Sequence, residues 1–358
     1  MNRRRDLVND ERGAILVVGV FAAAFLFGAV YFVLGVGDAV QHRETMQDAA
    51  DTGAYATAVL HARAMNLIAL LNMVKLSLAA IVAALLAVMI AATKTIAFIQ
   101  ASPARLAALG AAIPLLVAVH ARALADHTSI RGDVDAVLNA ADRAQETLRD
   151  RLPEIAAGQA TQAAIAYGPP VEQGTVVTSA LPVRRGEPLA LCERALPLAR
   201  PLALDAFDPV APVPARTHAR GEAELALMPS CLGLGVAAME LEPGTALGGE
   251  RLQLRFFSVG ATPSSRGQSG VEVATWARNG AQVEGGSVGF AQAEYYFDGE
   301  GAEAQEQADA LFSMRWRARF RRFRTPNLAG DINAACGRAG AASCADPAGS
   351  LEAERIAH

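Results

Sequence analysis

The sequence predicts a membrane-anchored α+β protein: an N-terminal transmembrane helix and further long helices, then a Pro-rich linker and a small α+β C-terminal unit. Three observations carry this expectation. The 358-residue chain is 52% hydrophobic and only 19% charged, where an average soluble protein is about a quarter charged. Gly13 to Gly37 is a run of 25 uncharged positions, longer than the roughly 20 residues a helix needs to cross the hydrocarbon core. Beyond residue 250, period-two alternation replaces helical patterning, as in Arg251 to Val259, RLQLRFFSV. Aromatic residues make up only 6%, so Ala, Leu and Val carry the apolar excess. The composition excludes disorder for most of the chain. The formal net charge of −4 gives no global reason to expect a nucleic-acid partner.

Residues 1–12 form a basic flank with Arg3, Arg4, Arg5 and Arg12. Residues 13–37 are the expected anchor. A cleaved signal peptide is the rival, but its apolar region is about 7–15 residues and ends at a small-residue cleavage site; here Asp38-Ala39-Val40-Gln41-His42-Arg43 follows. After the run, Asp38, Glu44, Asp48 and Asp51 face a single Arg43. The positive-inside rule therefore puts the N-terminus in the cytoplasm and the chain outside after Gly37. A second apolar run, Leu76 to Thr93, has 18 uncharged residues. It sits at the lower edge of the spanning range and reads either as a second span or as a buried core helix packed against the anchor. A third, Leu106 to Val119, has 14 residues and contains Pro114, which suits a buried or re-entrant helix. One or three spans put the C-terminal half outside and two put it inside; outside is the expectation.

Residues 38–75 contain no proline and read as an Ala-rich juxtamembrane helix. Small side chains at Ala49, Gly53 and Thr57, four apart, let another helix approach closely, in an oligomer or within the same chain. Residues 76–125 form the second apolar helical region. Residues 126–166 read as an amphipathic helix, in which Val134, Leu138, Ala141, Leu148 and Leu152 alternate four and three apart with Gln145 in the seam. An intramolecular helix is favoured over a coiled coil between chains, and Pro153 closes the repeat. Nine of the 17 prolines fall between Pro169 and Pro214, so residues 167–221 read as an extended or irregular linker rather than helix. Residues 222–330 form the α+β unit, with strands expected at 251–259, 271–276 and 287–297. Residues 331–358 form a small, polar, loose tail.

The four cysteines, Cys192, Cys231, Cys336 and Cys344, form no CxxC pair, so zinc-ribbon spacing is absent. In an exported C-terminal half, Cys192–Cys231 and Cys336–Cys344 are plausible disulfides, although four cysteines allow three pairings. Gly285-Gly286-Ser287-Val288-Gly289 matches GxSxG, but the only histidine after Ser287 is His358 and no elbow helix follows. The chain has no HExxH, P-loop or dinucleotide fingerprint, and no cofactor or metal is expected. Met314 to Arg324 holds six arginines in ten residues. Phe312, Trp316, Phe320 and Phe323 fit one helical stripe, and this favours a helix over 312–324. Arg315, Trp316, Arg317, Arg319, Phe320 and Arg322 would then dock on anionic lipid or a partner, or the arginines would pair with acidic neighbours such as Glu300, Glu303, Glu306 and Asp309. Alternation of Met314, Trp316, Ala318 and Phe320 with the arginines is the strand rival. A nucleic-acid role is the least favoured reading.

Glu11-Arg12-Gly13 opening an apolar helix, followed by Met46-Gln47-Asp48-Ala49-Ala50-Asp51-Thr52-Gly53-Ala54, resembles the N-terminus of TadE/TadG-like proteins of the Tad (Flp) pilus assembly system. The resemblance covers residues 11–58. Ala293-Glu294-Tyr295-Tyr296 and the arginine run are similar to pilus-assembly proteins more loosely. The resemblance implies a non-enzymatic component of the bacterial inner membrane, with a cytoplasmic N-terminus and an extracytoplasmic C-terminal half, whose partners are membrane lipid and other pilus-assembly or secretion proteins. Prepilin-like members carry Glu at the fifth position after the cleavage-site Gly; Val18 stands there, which implies a retained, TadG-like anchor. A structural scaffold of another envelope system and a membrane-anchored serine hydrolase using Ser287 are the alternative functions.

Overall fold

The computed structural model describes residues 11–167, 171–177, 180–205, 231–245, 253–260, 287–299 and 310–320. Helix α1 runs without interruption from Glu11 to Gln100, 90 residues, or roughly 135 Å of helix at about 1.5 Å per residue. The first proline of the chain is Pro103, so nothing in this stretch removes a backbone donor or clashes with a preceding carbonyl. The apolar runs 13–37 and 76–93 thus lie on one helix. Ser102 caps the next helix by accepting from the Arg105 backbone N–H at 3.3 Å. Short helix α2 (Pro103–Leu109) and a 3₁₀ turn at Gly110–Ala112 lead into α3 (Ile113–Ile165), which returns antiparallel along α1.

The heptad seam expected on α3 is present and intramolecular. Val134, Leu138, Ala141, Gln145 and Leu152 are buried. They meet a seam on α1 with the same alternation of four and three, namely Ala54, Ala58, His61, Met65, Ile68, Asn72, Lys75, Ala79 and Val82, all buried. Pro153 does not end the helix. Ala156, Ala160 and Ala164 continue the buried stripe beyond it, and this packing offsets the roughly 3 kcal/mol cost of an interior proline.

Four antiparallel strands form the main sheet, in the order β1 (Val171–Val177), β4 (Gln253–Gly260), β5 (Ser287–Phe297), β6 (Trp316–Phe320). Ala291, Ala293, Tyr295 and Phe297 of β5 face the helices and join Trp316, Leu311 and the alanines of α1 and α3 in the principal core. A two-stranded sheet pairs β2 (Val183–Arg185) with β3 (Met239–Leu241). Gly235 and Gly244, with φ of 64° and 75°, supply the left-handed turns on either side of β3.

Three expectations need correction. The 167–221 stretch is not wholly extended: besides β1 and β2 it holds helix α4, Pro188–Asp205. Buried Leu191 and Ala195 hold α4 against Val82, Ala79 and Ala80 of α1, and this burial outweighs the poor helix propensity of Pro197 and Pro201. The 312–324 helix is a strand over 316–320. Pairing with β5 and the burial of Trp316 decide the outcome over the helical spacing of Phe323. Finally, the buried part of the 76–93 run packs against α3 and α4, not against the anchor. The candidate strand at 271–276 and the tail at 331–358 lie outside the described residues.

Candidate functional site: surfaces on a helical stalk

The N-terminal apolar stretch of α1 is bare. Among the described residues, the Ile15–Gly37 window has mean hydropathy 2.5 and no buried position, and Cβ atoms built on Gly19, Gly28, Gly35 and Gly37 would meet nothing within 4 Å. Among the described residues three stretches are long and apolar enough to cross a membrane, the others lying within Gln47–Gln100 and Pro103–Ile165. Half of the apolar window in Gln47–Gln100 is buried inside the molecule, against 6% of that in Pro103–Ile165.

About 16 Å of helix beyond Gly37, the stretch 48–57 of α1 splits into two faces. Ala49, Ala50, Gly53, Ala54 and Thr57 are buried in the chain's own core, and the Thr57 hydroxyl donates to the Gly53 carbonyl at 2.8 Å. The small-residue face Ala49, Gly53, Thr57 is thus used within the chain. The opposite face supplies Asp48, Asp51, Thr52 and Tyr55 to a cleft of about 250 Å³ closed by Tyr167 and Phe320. Tyr55 stacks on Phe320 with ring centroids 5.1 Å apart, the Thr52 and Tyr167 hydroxyls share a hydrogen bond of 2.7 Å, and Gln47 donates to the Asp51 carboxylate at 2.9 Å. The result is an aromatic, acidic cleft at a fixed distance along α1 from the bare apolar stretch. Sequence reasoning named Phe320 for docking but missed Tyr55 and Tyr167, because residues more than 100 positions apart form the cleft only once α3 and β6 fold back on α1.

Midway along the stalk lies a buried polar layer. The Lys75 ammonium donates to Asp142, to Gln145 Oε1 at 2.5 Å and to the Ala237 carbonyl at 3.0 Å. Gln145 in turn donates to the Ile68 carbonyl and to Asn72 Oδ1. Asn72 accepts from the Met239 N–H at 3.0 Å and donates to the Met239 and Leu311 carbonyls. Asn66 makes the same two-point clasp on Trp316, accepting from its N–H at 2.9 Å and donating to its carbonyl at 3.0 Å. Two helix side chains thus act as strand edges, tying β3 and β6 to α1. Burial pushes the Lys75 pKa below its ordinary value, and the contact with Asp142 opposes that shift. Gln145 was legible as a polar seam residue; its partners were not, because Asn72 and Lys75 sit on the other helix.

The arginine strand divides as alternation requires. Trp316 is 3% exposed, part of the core rather than a docking group, and its indole donates to the Ala310 carbonyl at 2.8 Å. On the other face Arg317 pairs with Asp298 at 3.0 Å. Arg319 pairs with fully buried Glu294 at 2.5 Å and lies 4.2 Å over the Tyr296 ring. Arg315 is exposed; Arg322 lies outside the described residues, as do Glu300, Glu303, Glu306 and Asp309. The amphipathic docking helix therefore loses its geometric basis.

Cys192 and Cys231 form a disulfide, with Cα atoms 5.7 Å apart. Cys336 and Cys344 lie outside the described residues. Ser287 opens β5 opposite Gly260, and the chain continues as strand to Phe297, where a nucleophile elbow requires a turn into a helix. Among the described residues no group of three His, Cys, Asp or Glu side chains could hold a metal ion. No protein-family model matches the chain, and no curated protein or solved structure is significantly similar to it.

Proposed function

We propose that this chain is a non-enzymatic, membrane-anchored component of a Tad/Flp-type pilus assembly or related secretion apparatus. Residues 13–37 hold it in the bacterial inner membrane with the N-terminus in the cytoplasm, and the rest works outside through protein contacts. The observation that carries the reading is the two-faced segment 47–55. The residues that resemble TadE/TadG-like proteins line an accessible aromatic, acidic cleft at a set height over a bare apolar helix. The disulfide supports an oxidising compartment for the C-terminal half, since such bridges persist outside the cytoplasm. The test is an in-frame deletion in the source bacterium, complemented with wild type or with Asp48→Arg/Tyr55→Ala. Loss of surface pili or of secreted pilin on deletion, not restored by the cleft variant although it accumulates normally in the membrane, is the expected result. Normal piliation in the deletion strain would overturn the proposal in favour of a scaffold of another envelope system.

A further inference from the structure

We propose that the outer edge of β6 takes an extended segment of a partner protein as a further strand, and that the cleft at the end of this edge receives an aromatic side chain of that segment. The inference rests on the reading of the chain as one that works through protein contacts, and it names the kind of partner segment. The first observation is the ladder. β6 is the last strand of its sheet and pairs with β5 on one side. The Asp298 N–H donates to the Arg315 carbonyl at 2.8 Å, so these two form a hydrogen-bonded pair. Alternation then makes Arg317 and Arg319 the residues bonded to β5. It turns the N–H and C=O of Trp316, Ala318 and Phe320 away from β5. Asn66 fixes the same phase independently, because it takes both outward groups of Trp316, at 2.9 and 3.0 Å. Ala318 is half-buried and Phe320 exposed. Among the described residues nothing takes their outward N–H and C=O groups.

The second observation is how little guards this edge. Native sheet edges are blunted by charge, by proline or by a covering element. The arginines of β6 are turned the other way. Arg317 reaches Asp298, and Arg319 reaches Glu294 and lies over Tyr296, all on the β5 side. Asn66 covers the edge at Trp316, and no described group does so at Ala318 or Phe320.

The third is the cleft. Phe320 ends β6 and also walls the cleft of about 250 Å³ that Thr52, Tyr55 and Tyr167 help to line. This is smaller than the roughly 300–1,000 Å³ of small-molecule sites, and it suits a single side chain. In a strand added to β6, the residue opposite Phe320 points to the same face as Phe320. There Tyr55 already stacks on that ring at 5.1 Å, and an aromatic side chain extends the stack. The next residue of the segment lies on the other face beside Arg319, which stays 53% exposed despite its ion pair. An acidic residue is favoured at that position and a basic one opposed. The same rule opposes a second copy, since antiparallel pairing of two β6 edges sets Arg317 and Arg319 of one chain beside those of the other.

The experiment measures the fluorescence anisotropy of labelled peptides mixed with the full chain in detergent. The probe is Thr-Glu-Val-Glu-Phe-Glu-Val-Glu-Thr. One control replaces every Glu by Lys, and the other carries N-methyl groups on the Val and Phe residues, which removes the N–H groups facing β6. Saturable binding of the acidic probe is expected, at least tenfold weaker for both controls. Ala318→Pro tests the edge from the other side. Proline removes a donor from the open edge and none from the β5 ladder. This variant should keep its denaturation midpoint and lose at least tenfold in affinity for the probe, as the loss of a hydrogen bond implies. Tyr55→Ala should weaken binding as well. No binding of the acidic probe, equal binding of the N-methylated peptide, or full affinity in Ala318→Pro would overturn the proposal. So would a chain that dimerises in detergent and loses the dimer on Ala318→Pro, because the edge would then belong to a second copy. Loss of pili on deletion of the gene together with failure of the probe would sink this inference and leave the proposed function standing. Probe binding with normal piliation would do the reverse.

Discussion

Asn72 and Tyr295 show opposite ways of burying a polar group. The Asn72 amide satisfies Met239 on both its N–H and its carbonyl, and Leu311 on its carbonyl. Asn72→Ala strands these backbone groups away from water, and each costs about 1–3 kcal/mol. A loss of at least about 3 kcal/mol is expected, read as a lower denaturation midpoint of the full chain in detergent. The Tyr295 hydroxyl is buried and, among the described residues, has no hydrogen-bond partner; burial alone raises its pKa. Tyr295→Phe removes a desolvated hydroxyl without losing a bond, so it should be neutral or stabilising by up to about 1 kcal/mol. Lys75 gives a pH dependence. Its folded pKa lies below the ordinary 10.5, chiefly through burial, with Asp142, Arg185 and Glu146 as the charged neighbours. Between the lowered value and 10.5 the unfolded chain binds more protons, so stability contributed by this group rises with pH and the charging penalty is complete below the folded value. Wild type should therefore gain stability relative to Lys75→Met as pH rises from neutral towards 10.5, in paired denaturation series. A constant gap would remove the buried ammonium from the account.

Among the elements, β6 separates a core face from a charged face. Trp316→Ala should cost about 3–5 kcal/mol, as buried aromatic truncations do. Arg317→Ala, whose ion pair with Asp298 is exposed on both sides, should change stability by less than about 1 kcal/mol. The same strand shows where sequence pattern stops being informative. Over residues 314–321 the alternating and helical templates both fit, and only Phe323 favoured the helix. The partner strand β5 decided the matter, and that pairing is nonlocal. β5 itself was legible to the residue, Ser287 to Phe297, because Gly285-Gly286 and Asp298-Gly299 bound it. β4 was legible to within two residues at its start. The α3 seam was readable because its period is local. Helix α4 was hidden because its prolines read as extended chain, while the burial that overrides them comes from α1, over 100 residues earlier. The cleft was invisible for the same reason: Tyr55, Tyr167 and Phe320 carry no shared local pattern.

For the molecule as a whole, one continuous helix carries a bare apolar stretch long enough to span a bilayer at one end and an apolar hairpin at the other, and this geometry bears on topology. Composition alone left one, two or three spans open. In a single bilayer, a second span at 76–93 would require a reversal of direction between Gly37 and Leu76, and α1 has none. The Leu76–Thr93 run is instead shielded on part of its surface by α3 and α4, through Val82, Val134, Leu138 and Leu191. A single span then puts the hairpin apex on the same side as the disulfide. Three spans would put the apex in the cytoplasm while leaving the C-terminal half outside, so reporter fusions at Ala125, Gly221 and His358 would give identical results for both. Residue 101 separates them, because it is exposed at the apex. In spheroplasts, which present no second bilayer, Ala101→Cys should react with a membrane-impermeant maleimide without permeabilisation, and a cysteine placed at Asn2 should react only after it. The unsubstituted chain sets the background from its own cysteines. Labelling of residue 101 only after permeabilisation would mean that α1 breaks in the cell, and that the hairpin threads back through the membrane that anchors it.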